Sequence, residues 1–303
     1  MSAPALAPPP VLGLRVRLRG LVRALRPRQW VKNVLVLAAP FASGTITDPR
    51  VLGSAGLAFL AFCLAGSAIY LVNDVRDVEA DRAHPVKCHR PIAAGLVTPR
   101  TALTAAALLL VGALATATQA SLDLTAVVGV YLAVQLAYCF GLKHQPVIDL
   151  CIVASGFLLR AIAGGAAAGI VLSQWFLLAA AFGSLFMVAG KRYAELRYTE
   201  RTGAQIRRAL DRYSTSYLRF VWGTSATVLI MTYGLWAFEI RSDTHTVWAV
   251  LSMVPFVMAV LRYAVDVDGG NAGAPEDLIL SDHPLQTLGL LWALALGLAV
   301  YSG

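Results

Sequence analysis

This sequence contains few charged residues for its length. Charged residues make up 14% of the 303 positions, whereas hydrophobic residues make up 58%. So little charge excludes an ordinary soluble globular protein and is typical of an integral membrane protein. We therefore predict an all-α membrane domain and not the two soluble domains that the length alone would suggest.

Cysteine is also scarce. The chain has four, with Cys63, Cys139 and Cys151 in apolar runs and Cys88 in a predicted cytoplasmic loop. No pair has the spacing of metal ligands, so we predict small packing residues in a reduced compartment and no disulfide framework.

The start of the chain lacks a charged segment ahead of an apolar core, which predicts no cleaved signal peptide. The Pro-rich stretch Met1–Pro10 is predicted to be disordered. Val11–Leu25 alternates apolar residues with Arg, which predicts a basic amphipathic helix lying on the anionic inner leaflet. We divide the chain into this N-terminal part, residues 1–25, and a membrane domain, residues 26–303.

Nine apolar runs have the character of membrane spans, each of which needs about 20 residues. The first is shorter than that. The runs are Val34–Ile46, Val51–Val72, Thr101–Ala117, Leu124–Gly141, Val147–Gly169, Trp175–Gly190, Phe220–Phe238, Val247–Leu261 and Leu285–Tyr301.

The positions of Lys and Arg indicate the orientation. With the N-terminus in the cytoplasm, nearly all of them fall in inner segments, whereas the outer segments hold only Arg50 and Arg241. Basic residues concentrate in cytoplasmic loops, so we predict a plasma-membrane protein with its C-terminus outside. The formal charge of +8 then reflects membrane orientation and anionic ligands, and nucleic acid is not expected as a partner.

An acidic stretch follows the second run. If the helix continues, Asp74, Asp77 and Asp81 fall within roughly 60° of one another, with Asn73 close by. Carboxylates crowded in this way repel unless a cation holds them. Magnesium bound by carboxylates normally also holds a substrate phosphate, which makes these four residues the predicted Mg2+ site. The alternative is a solvated helix end that balances nearby arginines.

Several cations lie at the same predicted membrane depth. Lys87 and Arg90, in a loop with two prolines, are placed to close over a phosphate, or else they balance the acidic stretch. Lys32 either points into an anion pocket or follows the positive-inside bias. Arg160 lies well inside the fifth run, where its insertion costs about 2.5 to 3.5 kcal/mol, so it should face a polar cavity or a partner.

Two further segments carry charge. Lys191 begins where the sixth run ends and can pair with Glu195 one turn on. The loop Asp266–Asp277 is acidic and Gly-rich without calcium-loop spacing, so it is either a flexible polar connection or a contact for a metal or a ribose hydroxyl.

Together these residues carry a family likeness. Asn73-Asp74-x-x-Asp77-x-x-x-Asp81 resembles the first aspartate-rich motif of the UbiA superfamily of intramembrane prenyltransferases, which implies nine helices with the active site at the cytoplasmic side. Longer blocks resemble a branch of that superfamily that transfers phosphoribosyl groups. These blocks are Arg26–Asn33, Leu71–Arg82, Arg90–Gly95, Tyr138–His144, Gly190–Glu195 and Arg262–Gly270.

The resemblance implies transfer of 5-phosphoribose from phosphoribosyl diphosphate to a polyprenyl phosphate, on the route to cell-wall arabinan. It implies Mg2+ on Asp74, Asp77 and Asp81, with Asn73 alongside. Lys32, Tyr70, Lys87 and Arg90 are then candidates for the donor, and Lys143, Arg160 and Lys191 for the lipid phosphate or the 5-phosphate. Tyr193 completes the predicted substrate-binding set.

The sequence departs from the superfamily at one place. Prenyltransferases usually carry a second aspartate-rich motif after the sixth span, whereas here Lys191-Arg192-Tyr193-Ala194-Glu195 occupies that position. An alternative is a prenyltransferase with a prenyl diphosphate donor and an aromatic or sugar acceptor, which should keep that second motif. A transporter or lipid-binding protein without chemistry should spread its charges along a path through the bilayer. Association into a homo-oligomer is left open.

Overall fold

The computed structural model describes residues 13–202, 210–244, 247–270, 273, 278 and 281–302. Within these residues the regular secondary structure is helical throughout, as predicted. The predicted disordered start, Met1–Pro10, lies outside the described residues, so that prediction and the division at residue 25 stay predictions.

The first helix, α1, covers Leu14–Ala24. It lies against the segment before the third predicted span, because a Cβ atom on Gly20 would stand 3.2 Å from Leu96 and 3.3 Å from Val97. Its free side exposes Leu14, Leu18 and Val22 together with four arginines. The amphipathic helix is therefore present, and its place on a lipid surface stays a prediction.

After α1 come a 3-10 helix, Pro27–Leu37, and the short α2, Ala38–Ala42. Eight longer helical segments in the described chain have the length and apolarity to cross a membrane. They are α3 (Pro49–Arg76), α5 (Pro99–Ala120), α6 (Leu122–Cys139), α7 (Ile148–Ala168), α8 (Gln174–Thr202), α9 (Thr215–Thr244), α10 with α11 (Trp248–Leu251 and Met253–Gly269), and α12 (His283–Tyr301). A six-residue helix, α4, Val78–Ala83, follows α3.

Eight of the nine predicted spans are thus long apolar helices in the described chain, and the first, Val34–Ile46, contains the end of the 3-10 helix and the short α2. That run is short, Pro40 interrupts it, and the chain turns at Gly44, whose φ is +73°. A 3-10 helix rises about 2 Å per residue against 1.5 Å for an α-helix. This segment therefore extends further along α3 than an α-helix with the same number of residues would. Side-chain hydrogen bonds join the two in antiparallel order: Arg26 to Asp74, Trp30 to Ser67 and Asn33 to Cys63.

The ends of the long helices follow local sequence rules. Asp48, Thr98, Ser121 and Asp282 each accept a hydrogen bond from a backbone N–H in the first turn of the helix that follows. Three of them precede a proline within the first two positions, where a missing N–H costs nothing. These caps explain why α3, α5, α6 and α12 begin where they do.

Helix α3 lies at the centre of the bundle. Two thirds of its apolar window is buried, the largest share among the eight spans. Alanines on α3 allow neighbouring helices to approach closely, and its core cluster joins it to α5 and α6. A second core cluster joins α8, α9 and α11. Helix α7 belongs to both, through Ala163 and Ala167 in the first and Leu150 and Ala154 in the second.

Among the described glycines, the closest approach of a neighbouring backbone joins α7 to the 3-10 helix. A Cβ atom on Gly164 would lie 1.8 Å from the carbonyl oxygen of Val36. No side chain fits at that distance, so glycine is required there to let the two backbones pack together.

A buried tyrosine holds the turn that precedes α7. Val147 adopts a φ of +68°, an uncommon value for a β-branched residue. Its N–H donates to the Tyr213 hydroxyl at 2.6 Å, and that hydroxyl donates to the buried carboxylate of Asp149. Burial raises the pKa of Tyr213, and the hydrogen bond to Asp149 raises that pKa further.

Replacement of Gly164 by Ala should strongly destabilise the protein. The added methyl must push the Val36 carbonyl away, so we expect a loss of about 3 kcal/mol or more, seen as a lower thermal midpoint in detergent. Gly129→Ala in α6 is the control, because a Cβ there meets no described atom within 4 Å. Equal midpoints for the two variants would contradict the close approach.

Tyr213→Phe should lower stability by about 2 kcal/mol, because it leaves a buried carboxylate oxygen and the Val147 N–H without their partner. Unfolding in denaturant measures this. Tyr217 stacks on Tyr213 with ring centroids 5.7 Å apart, and Tyr217→Phe keeps that stack, so it serves as the control. A Tyr213→Phe protein as stable as wild type would show that the hydroxyl does not hold the turn.

Candidate active site

A cavity of about 650 Å³, here called the main cavity, opens among the 3-10 helix, α3, α4, α6, α7 and α8. Nine predicted site residues line it, although they come from segments far apart in the chain. They are Lys32, Tyr70, Asn73, Asp77, Asp81, Lys87, Arg90, Lys143 and Arg160. Asp74, Lys191 and Tyr193 are not among its lining residues.

The acidic stretch is not one continuous helix. Helix α3 ends at Arg76, and Asp77 forms a turn with φ −97° and ψ 8° before α4 begins. Asp74 and Asp81 are buried, whereas Asp77 is partly exposed. The break turns Asp77 towards Lys143, with which it forms an ion pair.

Two arginines hold Asp74. The Arg26 Nη2 atom lies 2.6 Å and 2.9 Å from the two carboxylate oxygens of Asp74. The Arg90 Nη1 atom bridges Asp74, at 3.1 Å, and Asp81, at 2.7 Å. Arg26 also stacks over the Tyr70 ring at 4.6 Å, so Tyr70 contacts the cation that faces the carboxylates.

These pairs change the expected metal geometry. In the part of the chain that the structure describes, no three acidic, His or Cys side chains are grouped to hold one ion. Convergence of Asp74, Asp77 and Asp81 on a single ion is therefore not found. Nonetheless, a cationic nitrogen bridges the carboxylates of Asp74 and Asp81. Two carboxylates that share one positive centre have the hard oxygen donors that a divalent cation requires, so the residues fit such an ion.

Arg160, on α7, also lines the main cavity and is buried. It donates from Nε to the Asn33 side chain at 2.7 Å, from Nη1 to the Gly156 carbonyl at 2.6 Å and from Nη2 to the Tyr131 hydroxyl at 3.3 Å. Its guanidinium also lies over the rings of Phe62 and Tyr131. Neutral groups thus support a charge that faces the cavity, and among the described residues no carboxylate forms an ion pair with it.

Helix α8 reaches the main cavity one residue after the predicted Lys191. Arg192 lines the main cavity. Its Nη1 lies 3.0 Å from Glu195, and its Nε lies 3.6 Å from Asp149. Tyr193 is fully buried, and its hydroxyl contacts Asp268 and Arg219 on the far side of α8. The rotation of the helix therefore places Arg192 at the cavity.

Sequence reasoning missed Arg26 and Arg192, which line the main cavity, and Asp149, which lies 3.6 Å from Arg192. Arg26 directly precedes Pro27, has a φ of +55° and is one of two non-glycine residues with positive φ in the described chain. In the sequence, the only indication of its role was an arginine that directly precedes a proline just before the first predicted span. For Asp149 the only signal was a carboxylate inside an apolar run.

Part of the acidic loop Asp266–Asp277 can be placed. Asp268 lies near the end of α11 and pairs with Arg219 at 3.1 Å. Asn271, Glu276 and Asp277 lie outside the described residues. Asp268 contacts Tyr193 of α8 and Arg219 of α9, so this part of the segment links the end of α11 to both helices.

The fold resembles that of solved UbiA homologs. A UbiA homolog from Archaeoglobus fulgidus bound to GPP and Mg2+ superposes with a TM-score of 0.70, at 18% identity over 94% of this chain and all of that one. The same homolog bound to Cd2+ gives a TM-score of 0.68. At this identity the likeness concerns the fold alone.

Curated relatives are much more similar in sequence. Decaprenyl-phosphate phosphoribosyltransferase of Mycolicibacterium smegmatis is 58% identical over 93% of this chain and 92% of its own length. Its Mycobacterium tuberculosis counterpart is 59% identical over 94% and 95%, and that of Corynebacterium glutamicum is 54% identical over 93% and 87%. The model of the UbiA prenyltransferase family matches residues 34–281. With eight apolar helices and this match over most of its length, the chain is a multi-pass membrane protein that belongs to the UbiA prenyltransferase family.

Proposed function

We propose that this protein transfers 5-phosphoribose from phosphoribosyl diphosphate to a polyprenyl phosphate, such as decaprenyl phosphate, and releases diphosphate. The observation that carries the proposal is the composition of the main cavity, which two carboxylates, Asp77 and Asp81, line together with several cations, among them Lys143, Arg160 and Arg192. The names and high identity of the curated relatives support it.

The charge pattern suits two anionic substrates. Both phosphoribosyl diphosphate and a polyprenyl phosphate are negatively charged, so they repel each other unless cations separate them. Arg160 has neutral partners and a charge turned towards the cavity. A site for a prenyl diphosphate and a neutral acceptor has less need of a cationic wall, so the alternative of an ordinary prenyltransferase is not favoured.

The reaction forms one bond and breaks another at C1 of the ribose. An oxygen of the lipid phosphate bonds to C1, and the bond from C1 to the diphosphate breaks, with its electron pair leaving on the diphosphate. The acceptor phosphate is already ionised near neutral pH, so no general base is required. The protein therefore contributes position and electrostatic stabilisation.

We assign the charged and polar residues of the site to the donor, the acceptor or the metal ion. We assign Lys32, Tyr70, Lys87 and Arg90 to the donor, and Lys143 and Arg160 to the acceptor phosphate or the 5-phosphate. Lys191 and Tyr193 do not line the main cavity, and in this proposal Arg192 takes their place. Asp74 and Asp81 would hold Mg2+, which when bound supplies positive charge to the leaving diphosphate. Asp77 and Asn73 line the main cavity nearby and would add oxygen donors.

The proposal also places the protein in the cell. We infer a plasma-membrane protein whose main cavity opens at the cytoplasmic face, where phosphoribosyl diphosphate is available, with a role in cell-wall arabinan synthesis. The basic loops at the cavity end of α3, α6 and α8 agree with the positive-inside rule.

Asp77→Ala should reduce transfer of radiolabelled phosphoribose to polyprenyl phosphate in membranes by about a hundredfold or more, because a charge at the donor is lost. Glu79→Ala is the matched control, since Glu79 is an exposed carboxylate two positions away. A wild-type rate of transfer by the Asp77→Ala protein would contradict the assignment of the acidic stretch to the active site.

Lys143→Ala should raise the KM for polyprenyl phosphate about tenfold, because a charge-assisted contact to phosphate is lost. The KM for phosphoribosyl diphosphate should stay unchanged, and Lys143→Arg should retain most of the lipid affinity. A rise confined to the KM for phosphoribosyl diphosphate would instead assign Lys143 to the donor.

A further inference from the structure

Helix α6 contributes a neutral polar face to the main cavity. Tyr131, Gln135 and Tyr138 line this cavity, and their spacing along the chain places them on one side of the helix. From the first of these residues to the last, the face extends about 10 Å along α6. None of the three has a role in the transfer step proposed for the charged residues.

The neutral face lies between charged groups. At one end, the Tyr131 hydroxyl accepts a hydrogen bond from Nη2 of Arg160 at 3.3 Å. Beyond the other end, Lys143 follows α6 and forms its ion pair with Asp77. Along α6, Gln135 therefore lies between a buried cation and an ion pair.

The side-chain amide of Gln135 is held in one orientation. Its Nε2 atom donates to the Ile152 carbonyl of α7 at 3.3 Å. Gly156 leaves room for this contact, because a Cβ atom there would lie 3.1 Å from the same nitrogen. Only the nitrogen can donate to a carbonyl, so the amide oxygen is left as an acceptor. Among the described residues, no group donates to that oxygen.

Tyr138 carries a second polar group without a partner. It is half-buried and lines the main cavity near Arg192. Its hydroxyl makes no hydrogen bond within the part of the chain that the structure describes. The neutral face thus offers a carbonyl acceptor and a hydroxyl that can both donate and accept.

This chemistry suits the hydroxyl groups of a sugar. Phosphates are bound best by cations, and a prenyl chain needs an apolar surface. The ribose of phosphoribosyl diphosphate carries a phosphate at one end and a diphosphate at the other, so its ring hydroxyls lie between two charged groups. Charged, neutral and charged groups follow one another in the same order along α6.

We propose that Gln135 and Tyr138 recognise the ring hydroxyls of the phosphoribosyl group. The Gln135 amide oxygen accepts from one hydroxyl, and the Tyr138 hydroxyl bonds to another. A site built to bond a hydroxyl discriminates against ligands that lack it, because its polar groups then stay unpaired. The inference rests on the proposed function, since it takes phosphoribosyl diphosphate as the donor.

The test is calorimetric titration of the full chain in detergent, with Mg2+, using phosphoribosyl diphosphate and inorganic diphosphate as separate ligands. Gln135→Met and Tyr138→Phe remove the polar atoms and keep most of the side-chain volume. Each should weaken the binding of phosphoribosyl diphosphate about fivefold or more, because a hydrogen bond to the sugar is lost. The binding of inorganic diphosphate, which has no sugar, should not change.

The design separates sugar recognition from a structural role. The Ile152 carbonyl also accepts from Ser155 at 2.8 Å, so Gln135→Met leaves it with a partner. Gln119→Met is the matched control, because Gln119 also donates to a backbone carbonyl but is exposed and is not a lining residue of the main cavity. It should bind both ligands as the wild type does. Equal losses for both ligands in the α6 variants, or no loss for either, would overturn the proposal.

Transfer kinetics distinguish this inference from the function on which it rests. In both α6 variants the KM for phosphoribosyl diphosphate should rise, whereas the KM for polyprenyl phosphate should stay unchanged. Transfer by the wild type with an unchanged donor KM in both variants would contradict only the role of the α6 face. A wild type that transfers no phosphoribose would contradict the proposed function itself.

Discussion

The buried carboxylate of Asp74 is the constraint on which the site depends. Its side chain is 2% exposed, and an unpaired charge at that depth would be strongly destabilising. Arg26, which precedes α3 in the chain, and Arg90, which follows α4, both pair with this carboxylate. Their contacts bring the end of α1 and the loop after α4 to the end of α3. Arg26 adopts a left-handed backbone conformation to reach Asp74, and such a conformation persists only where its surroundings hold it.

The path of the 3-10 helix fixes the part of the main cavity that contains Arg160. The 3-10 helix Pro27–Leu37 runs antiparallel to α3 and packs against α7 at Gly164. This packing places Asn33 where it accepts from Arg160 at 2.7 Å. A straight α-helix would advance less per residue and would turn Lys32 and Asn33 to other faces. The irregular helix therefore helps to hold a buried arginine at the cavity.

The resulting site has its positive and negative groups on different helices. Carboxylates come from the turn after α3 and from α4. Cations come from the start of the 3-10 helix, the loop after α4, the segment after α6, α7 and α8. Each charge is supported by partners, such as Asp149 and Glu195 around Arg192. Such preorganised charges need little rearrangement when anionic substrates bind, which is the condition for electrostatic catalysis.

The sequence by itself determined the class of fold, most of the spans and the place where charge gathers, because composition, hydrophobic length and capping residues act locally. It also identified nine of the residues that line the main cavity. Only the tertiary structure decided the break at Asp77, the choice of Arg192 over Lys191 and the pairing of Arg26 with Asp74. Those features depend on helix rotation and on contacts between residues far apart in the chain, 48 positions in the case of Arg26 and Asp74, and no local pattern encodes them.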